Sequence, residues 1–127
     1  MPIEFEHITV PSKGLEASIA FYTALGLTLI DLEPEHHAHF ESKEHQVIFT
    51  AYYNTKRPDY AVKVYLEVDD VERLEIRFRE SVTATTQLKN WHGKELELND
   101  PDGNTVIVYQ KLTPQSTPPW QTQKDES

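Results

Sequence analysis

The sequence predicts an α+β fold made of two successive βαβββ modules. Three observations predict it: short stretches alternate between apolar and polar residues as strands do, a stretch with helical apolar spacing follows the first strand of each half, and both halves share one order of elements. The modules cover about residues 1–54 and 60–111. A chain of 127 residues, of which 38% are hydrophobic, suits one compact domain, so we expect a single domain over residues 1–111.

The first module begins with a strand and a helix. Residues 3–10 alternate with a period of two, and Pro11 is expected to end this strand. The next apolar residues recur every three or four positions among alanines, which predicts a helix over residues 15–25, ended by Gly26. Stretches rich in β-branched and aromatic residues predict three further strands, over residues 27–32, 38–41 and 46–53.

The second module repeats this order. Apolar and polar residues alternate over residues 62–68, which predicts its first strand. Asp69 is followed three residues later by Glu72, a capping-box pattern, so we expect a helix over residues 70–80 with Asp69 as its N-cap. Three further strands are predicted, over residues 82–88, 94–98 and 106–110.

The segment Asp100-Pro101-Asp102-Gly103-Asn104 predicts a tight turn before the last strand. Proline fixes φ, glycine accepts a positive φ, and Asp and Asn side chains hydrogen-bond to nearby backbone in turns. We therefore interpret Asp100 and Asp102 as structural residues rather than catalytic carboxylates.

Charge and composition exclude several classes of protein. The formal net charge of −9 repels phosphate backbones and anionic lipids, so we expect neither a nucleic-acid nor a membrane partner. The absence of Cys excludes disulfides and thiolate metal sites, and with no signal-peptide pattern at the start we expect a cytoplasmic protein. Residues 112–127 are rich in proline and polar residues, so we expect a mobile tail unless Trp120 docks.

Several segments together resemble the vicinal oxygen chelate superfamily, the group of glyoxalases, bleomycin-resistance proteins and extradiol dioxygenases. The resemblance extends over about residues 2–111 and implies that the two modules form an open half-barrel cup, completed by homodimerisation. The segments that carry it are His7 in the first strand, Ala20-Phe21-Tyr22 with Leu25-Gly26-Leu27, the stretch 66–71, and Asp100-Pro101-Asp102-Gly103-Asn104.

The resemblance also implies where a metal would bind. Metal enzymes of the superfamily place ligands on strands one, four, five and eight, and the matching positions here are His7, Phe49, Lys63 and Ile107. Only His7 is an ordinary ligand of a divalent ion, and catalytic metal sites need about three protein ligands. We therefore expect no metal and no cofactor at these positions.

Alternation along the strands predicts a ligand-binding face inside the cup. If Val64 and its apolar neighbours pack under the helices, the intervening residues of that strand face the other way. The same alternation is applied to the other strands. The candidate ligand-binding residues are then Phe5, His7, Phe49, Lys63, Tyr65, Glu67, Ile107 and Tyr109. Aromatic rings with a few polar groups suit an organic ligand, whereas the simpler alternative is that these side chains fill a core.

Two residues of this set raise a further question. Lys63 needs a partner or water if it points inward, and Glu67, four residues later on the same face of the strand, is a candidate partner or a cation ligand. The alternative is an exposed pair at the end of a strand.

The segment from His36 to His45 holds four of the six histidines. His37 and His39 share a strand face at i, i+2, a spacing that can chelate a divalent ion. The alternative is a solvated strand pair or an interface edge, since acidic residues lie between these histidines.

Three functional hypotheses follow. The first is a metal-independent small-molecule-binding protein, similar to the bleomycin-resistance members, for which the acidic charge favours a cationic aromatic compound. The second is an enzyme of lyase or dioxygenase type with an unusual or metal-free site, in which His7 acts as general base and Lys63 stabilises an oxyanion. The third is a protein-interaction module, which no motif in the sequence supports.

Overall fold

The first module folds in the predicted order in a computed structural model that describes residues 6–42, 47–55 and 62–119. Its helix has the predicted bounds and ends because Gly26 adopts a φ of 118° and donates its N–H to the Thr23 carbonyl oxygen. The elements are β1 (Glu6–Ser12), α1 (Leu15–Leu25), β2 (Thr28–Glu33), β3 (His37–Ser42) and β4 (Val47–Tyr53).

The second module has the same order with a shorter helix than predicted. Its elements are β5 (Lys63–Glu67), α2 (Val71–Arg77), a 3-10 turn (Arg79–Ser81), β6 (Val82–Lys89), β7 (Gly93–Asn99) and β8 (Thr105–Lys111).

The N-cap of α2 corrects one prediction. The cap is Asp70, whose Oδ1 accepts the Arg73 N–H at 3.2 Å, so the assignment to Asp69 is wrong by one residue. At the other end, Phe78 leaves helical geometry and the chain tightens into the 3-10 turn. In the part of the chain that the structure describes, no helix has the length and apolar composition needed to cross a membrane.

Each module forms one four-stranded sheet. The strand orders are β1-β4-β3-β2 and β5-β8-β7-β6, so the two sheets repeat one topology. In the first sheet β1 runs parallel to β4, and β3 runs antiparallel to β2 and β4. In the second sheet β7 runs antiparallel to β6 and β8. This architecture confirms the predicted α+β fold of two βαβββ modules.

β1 continues past its predicted end. Pro11 and Ser12 remain in the strand and pair with Tyr52 and Tyr53 of β4. Because β1 is the outer strand of its sheet, a proline that lacks an N–H is tolerated there. The prediction that Pro11 breaks the strand is therefore wrong.

The chain divides into two compact units. One comprises Met1–Val64 with Asp100–Asn104, and the other comprises Tyr65–Asn99 with Thr105–Ser127. The turn Asp100–Asn104 therefore belongs to the first unit, although it connects two strands of the second module.

The segment that follows β8 is packed at its start. Ser116 Oγ donates to the His92 carbonyl oxygen at 2.6 Å, and the Leu112 N–H donates to the same oxygen at 3.1 Å. Ser116 and Pro118 are buried. Ser116 thus has a backbone partner and Pro118 is covered, while the mobility of residues 112–127 stays a prediction. Trp120 and the residues after it lie outside the described part of the chain.

Candidate functional site

One face of the first sheet is covered by α1 and forms the core of its unit. The ring centroid of Tyr22, on α1, lies 4.4 Å from that of Phe49 and 6.0 Å from that of Phe40. Phe40 pairs with Phe49 and Ala38 pairs with Ala51, so these four side chains share one face. All four have no accessible surface.

This packing corrects one predicted ligand-binding residue. Alternation alone leaves open which residues of β4 face the helix, and Phe49 is predicted on the ligand-binding face inside the cup. The structure places Phe49 beneath Tyr22, with Thr50 and Tyr52 on the opposite face. Phe49 is therefore a core residue that a ligand cannot reach.

A buried hydrogen-bond network holds the Asp100–Asn104 turn within the first unit. Tyr22 Oη donates to Asp100 Oδ2 at 2.6 Å, and Asn104 Nδ2 donates to the same oxygen at 2.8 Å. Asp100 Oδ1 accepts the backbone N–H groups of Asp102 at 2.9 Å and of Asn104 at 2.8 Å. Burial raises the pKa of Tyr22, and the charge and hydrogen bond of Asp100 raise it further, so the phenol stays protonated and donates. These bonds agree with the structural interpretation of Asp100.

The face of the first sheet that α1 does not cover carries two histidines and an aspartate. Asp31 pairs with His39 across β2 and β3, and His39 pairs with Thr50 across β3 and β4. His37 Nε2 lies 3.1 Å from Asp31 Oδ2, and His39 Nδ1 lies 2.7 Å from Thr50 Oγ1. One ligand atom from each of Asp31, His37 and His39 lies within 4.8 Å of the other two. We call these three residues the His–Asp cluster.

Two predicted ligand-binding residues cannot be placed fully. Phe5 and the side chain of His7 lie outside the described part of the chain. The backbone of His7 belongs to β1 and pairs with Ile48 of β4, so Ile48, rather than Phe49, lies beside His7 in the sheet. Isoleucine does not ligate metal either.

The second sheet is also covered on one face by its helix. Gln110 Oε1 accepts the Val71 N–H, at the start of α2, at 3.0 Å. Lys94 Nζ lies 2.6 Å from Glu72 Oε2 of α2. On the same face are two register pairs with no accessible surface, Leu96 with Val108 and Leu98 with Val106.

The opposite face of the second sheet combines aromatic rings with carboxylates. Glu95 pairs with Tyr109 and Glu97 pairs with Ile107, which places these four side chains together. Trp91 Nε1 donates to Glu95 Oε2 at 3.2 Å, and the Trp91 ring packs edge-on against Tyr109 with centroids 6.0 Å apart. We call these five residues the acidic aromatic face.

The members of the acidic aromatic face differ in exposure. Ile107 and Tyr109 expose 7% and 6% of their surface, whereas Trp91, Glu95 and Glu97 are half-buried. The two strand residues therefore support the face, and the ring of Trp91 with the two carboxylates forms its accessible layer.

Three predicted site residues lie on β5. Lys63 is exposed, whereas Tyr65 and Glu67 are half-buried and share one face of the strand by alternation. Within the described residues no ion pair joins Lys63 to Glu67, so the candidate partnership between these two side chains is not formed. The catalytic roles of His7 and Lys63 stay predictions.

Sequence reasoning missed four members of the His–Asp cluster and the acidic aromatic face, namely Asp31, Trp91, Glu95 and Glu97. Alternation over Glu95, Leu96, Glu97 and Leu98 is visible in the sequence and signals that the two glutamates share a face opposite the leucines. Trp91 carried no such signal, because it lies in the turn before β7 rather than in a strand.

Replacing Gly93 by alanine is expected to lower the free energy of unfolding by about 1–3 kcal/mol, as overpacking does. A Cβ at this position would overlap the Trp91 ring. Urea unfolding measures the loss, and near-ultraviolet circular dichroism reports displacement of the ring. Gly14→Ala is the matched control, because a Cβ there meets no atom within 4 Å. Equal losses in the two variants would contradict the packing of Trp91 over Gly93.

Comparisons with known proteins cover most of the chain. Residues 4–108 match the sequence profile of the Glyoxalase/Bleomycin resistance protein/Dioxygenase superfamily. No curated protein sequence matches significantly. Among solved structures, lactoylglutathione lyase from Agrobacterium tumefaciens is similar with a TM-score of 0.70, 18% identity, and coverage of 86% of this chain and 94% of that one.

Two further structures are similar. A glyoxalase family protein from Bacillus cereus has a TM-score of 0.72 at 12% identity, with coverage of 89% of this chain and 97% of that one. A bleomycin-binding protein complexed with bleomycin has a TM-score of 0.63 at 17% identity, with coverage of 83% of this chain and 96% of that one. At such identities, the likeness shows a shared fold.

Proposed function

Because the chain belongs to the Glyoxalase/Bleomycin resistance protein/Dioxygenase superfamily, we propose that it is a binding protein that holds a small cationic aromatic compound without a metal ion. Membership confirms the resemblance inferred from His7 and the Asp100–Asn104 segment. The fold hosts both lyases and binding proteins, so the site must decide between them. The acidic aromatic face is the single observation that carries the proposal.

The chemistry of the acidic aromatic face suits a cationic ring. An aromatic ring attracts a cation through its quadrupole, and carboxylates attract it through their charge. Trp91, Glu95 and Glu97 supply both attractions within one half-buried surface. We propose that Tyr65 and Glu67 of β5 extend this surface beside Tyr109.

Metal independence is supported by the residue types at the superfamily's ligand positions. Beside His7, these positions hold Lys63 and Ile107, and the strand-four partner of His7 is Ile48. Lysine is a cation at neutral pH, and isoleucine has no donor atom. A binding protein needs no metal at these positions, whereas a metal-dependent lyase does.

The net charge supports the same class of ligand. A chain of net charge −9 attracts cations over a distance set by the ionic strength. The similar protein that was crystallised with bleomycin makes bleomycin one natural probe. The homodimer and the cytoplasmic location stay predictions.

Glu97→Gln is expected to weaken binding of ethidium, a cationic aromatic dye, by about fivefold, since an exposed charge pair contributes up to about 1 kcal/mol. Trp91→Ala is expected to weaken it by about tenfold or more, because a desolvated cation–π contact contributes about 2 kcal/mol. Dye fluorescence during titration with the full chain measures both affinities.

Glu72→Gln is the matched control for charge. It removes the same charge from the same unit, but Glu72 lies on α2, on the covered side of the sheet. We expect unchanged ethidium affinity in this variant. If Glu72→Gln and Glu97→Gln weaken ethidium binding equally, the loss comes from the change in net charge alone. That result would contradict a binding site on the acidic aromatic face.

A further inference from the structure

We propose that the His–Asp cluster is a binding site for a divalent transition-metal ion of the Zn²⁺ class. The three side chains lie on the face of the first sheet that α1 does not cover, and they provide two imidazoles and one carboxylate. Imidazole and carboxylate ligands suit Zn²⁺, Ni²⁺, Cu²⁺ and Fe²⁺ rather than Ca²⁺ or Mg²⁺, which prefer oxygen ligands throughout. The site differs from the superfamily's ligand positions, since β2 and β3 supply its residues.

The distances in the cluster are close to those of a coordinated ion. Zinc ligands lie about 2.1 Å from the metal, so two ligands in tetrahedral geometry lie about 3.4 Å apart. His37 Nε2 and Asp31 Oδ2 are 3.1 Å apart, so an ion can replace the hydrogen bond between them with little movement. Because all three ligand atoms lie within 4.8 Å of one another, a side-chain adjustment suffices for the third.

Sheet pairing holds the ligands on a fixed scaffold. His37 and His39 alternate along β3, and Asp31 lies directly across from His39 on β2. The imidazole ring centroids are 4.1 Å apart. Sites on paired strands are more sharply positioned than sites on loops, which favours binding over a nonspecific histidine-rich segment.

Thr50 positions the third ligand. Its hydroxyl lies 2.7 Å from His39 Nδ1, and the residue as a whole is buried, at 6% exposure. When Nδ1 carries the proton and donates it to Thr50 Oγ1, the lone pair of Nε2 is available for the metal. Metal-bound histidines commonly donate their other ring N–H in this way, and loss of such a partner typically lowers metal affinity by about 10–100-fold.

The exposure of the cluster leaves room for further ligands. The side chains of His37 and Asp31 expose 25% and 60% of their surface. Three protein ligands leave at least one coordination position for water or for a ligand atom of another molecule. We therefore expect a bound ion that other molecules can reach, rather than a structural ion whose coordination positions are all filled by the protein.

The proposal is tested by calorimetric titration of the untagged, chelator-treated full chain with Zn²⁺. We expect one saturable site, and a loss of affinity of at least about tenfold in both His39→Gln and Asp31→Asn, since each replaces a strong ligand by a weaker neutral amide. Thr50→Val is expected to lose about tenfold and Thr50→Ser to retain affinity, because serine keeps the hydroxyl. Substitution of Co²⁺ gives visible absorption whose intensity and position report the geometry.

The matched control is His36→Gln, which removes an exposed histidine adjacent to the cluster. Unchanged affinity in this variant, with the losses above, supports the site. No saturable binding, or equal losses in His36→Gln and His39→Gln, would overturn it. Circular dichroism confirms that each variant is folded, and ethidium affinity in the presence of a chelator separates this proposal from the proposed binding function.

Discussion

Asp100→Ala is expected to lower the free energy of unfolding by about 3–5 kcal/mol, because each buried donor left without a partner costs about 1–3 kcal/mol. The substitution removes the acceptor of Tyr22 Oη and of the two backbone N–H groups of Asp102 and Asn104. The Asn104 amide keeps its second bond, to the Pro11 carbonyl oxygen at 3.0 Å. Chemical denaturation by urea measures the loss.

Tyr22→Phe is the partner variant for this prediction. It removes one hydroxyl and leaves Asp100 with its other donors, so a smaller loss of about 1–2 kcal/mol is expected. A loss below about 1 kcal/mol in Asp100→Ala would contradict the network, since one unsatisfied buried donor alone costs that much.

Alkaline unfolding gives an independent check on the same network. The raised pKa of Tyr22 means that the unfolded chain loses the phenolic proton near the ordinary value of 10.0, whereas the folded chain retains it. Stability from this group is therefore complete below pH 10 and falls as the pH rises above it. Because Tyr22→Phe has no phenol at this position, its stability is expected to fall less than that of the wild-type chain as the pH rises above this value.

Phe49→Ala is expected to lower the free energy of unfolding by about 3–5 kcal/mol, as other truncations of buried aromatic residues do. Phe49 has no accessible surface and packs against Tyr22 and Phe40. The truncation removes apolar burial and leaves a cavity beneath α1. Thermal and urea unfolding both measure the effect.

Ile30→Ala is the control for Phe49→Ala. Ile30 belongs to the same sheet but exposes 49% of its surface, so its truncation is expected to cost less than about 1 kcal/mol. A small stability loss in Phe49→Ala, together with loss of ethidium binding in the folded variant, would return Phe49 to the ligand-binding face. Large destabilisation is the result that its core position predicts.

The fold was accessible from the sequence because local signals agreed with each other. Helical spacing and Gly26 mark α1, and the alternation of the second module marks β5 and β7. The repeated order of elements then restricts the topology, since neighbouring elements along the chain tend to pair. The Asp69 capping assignment failed by one residue, because two adjacent aspartates are both good N-caps.

It was harder to predict which face of each strand packs against the helix, and Phe49 shows why. Alternation groups Val47, Phe49 and Ala51 on one face but does not say whether that face meets the helix. The packing of Tyr22 against Phe49 decides it, and this is a contact between residues far apart in sequence.

Asp31 was missed for a different reason. Simple alternation along β2 groups Asp31 with Leu29, on the face away from the histidines. A register shift between Leu29 and Asp31 reverses this, so that Leu29 pairs with Phe40 whereas Asp31 pairs with His39. Without knowledge of that irregularity, the sequence displays two histidines and no third ligand.

The most direct test of the proposed function is calorimetric titration of the wild-type chain with ethidium and with bleomycin in excess chelator. We predict saturable binding of both compounds, tighter than to an unrelated protein of the same net charge, and weaker binding of the anionic dye ANS. Binding of ethidium and bleomycin no tighter than to the unrelated protein, or binding that occurs only after Zn²⁺ is restored, would contradict a metal-independent site for cationic aromatic compounds.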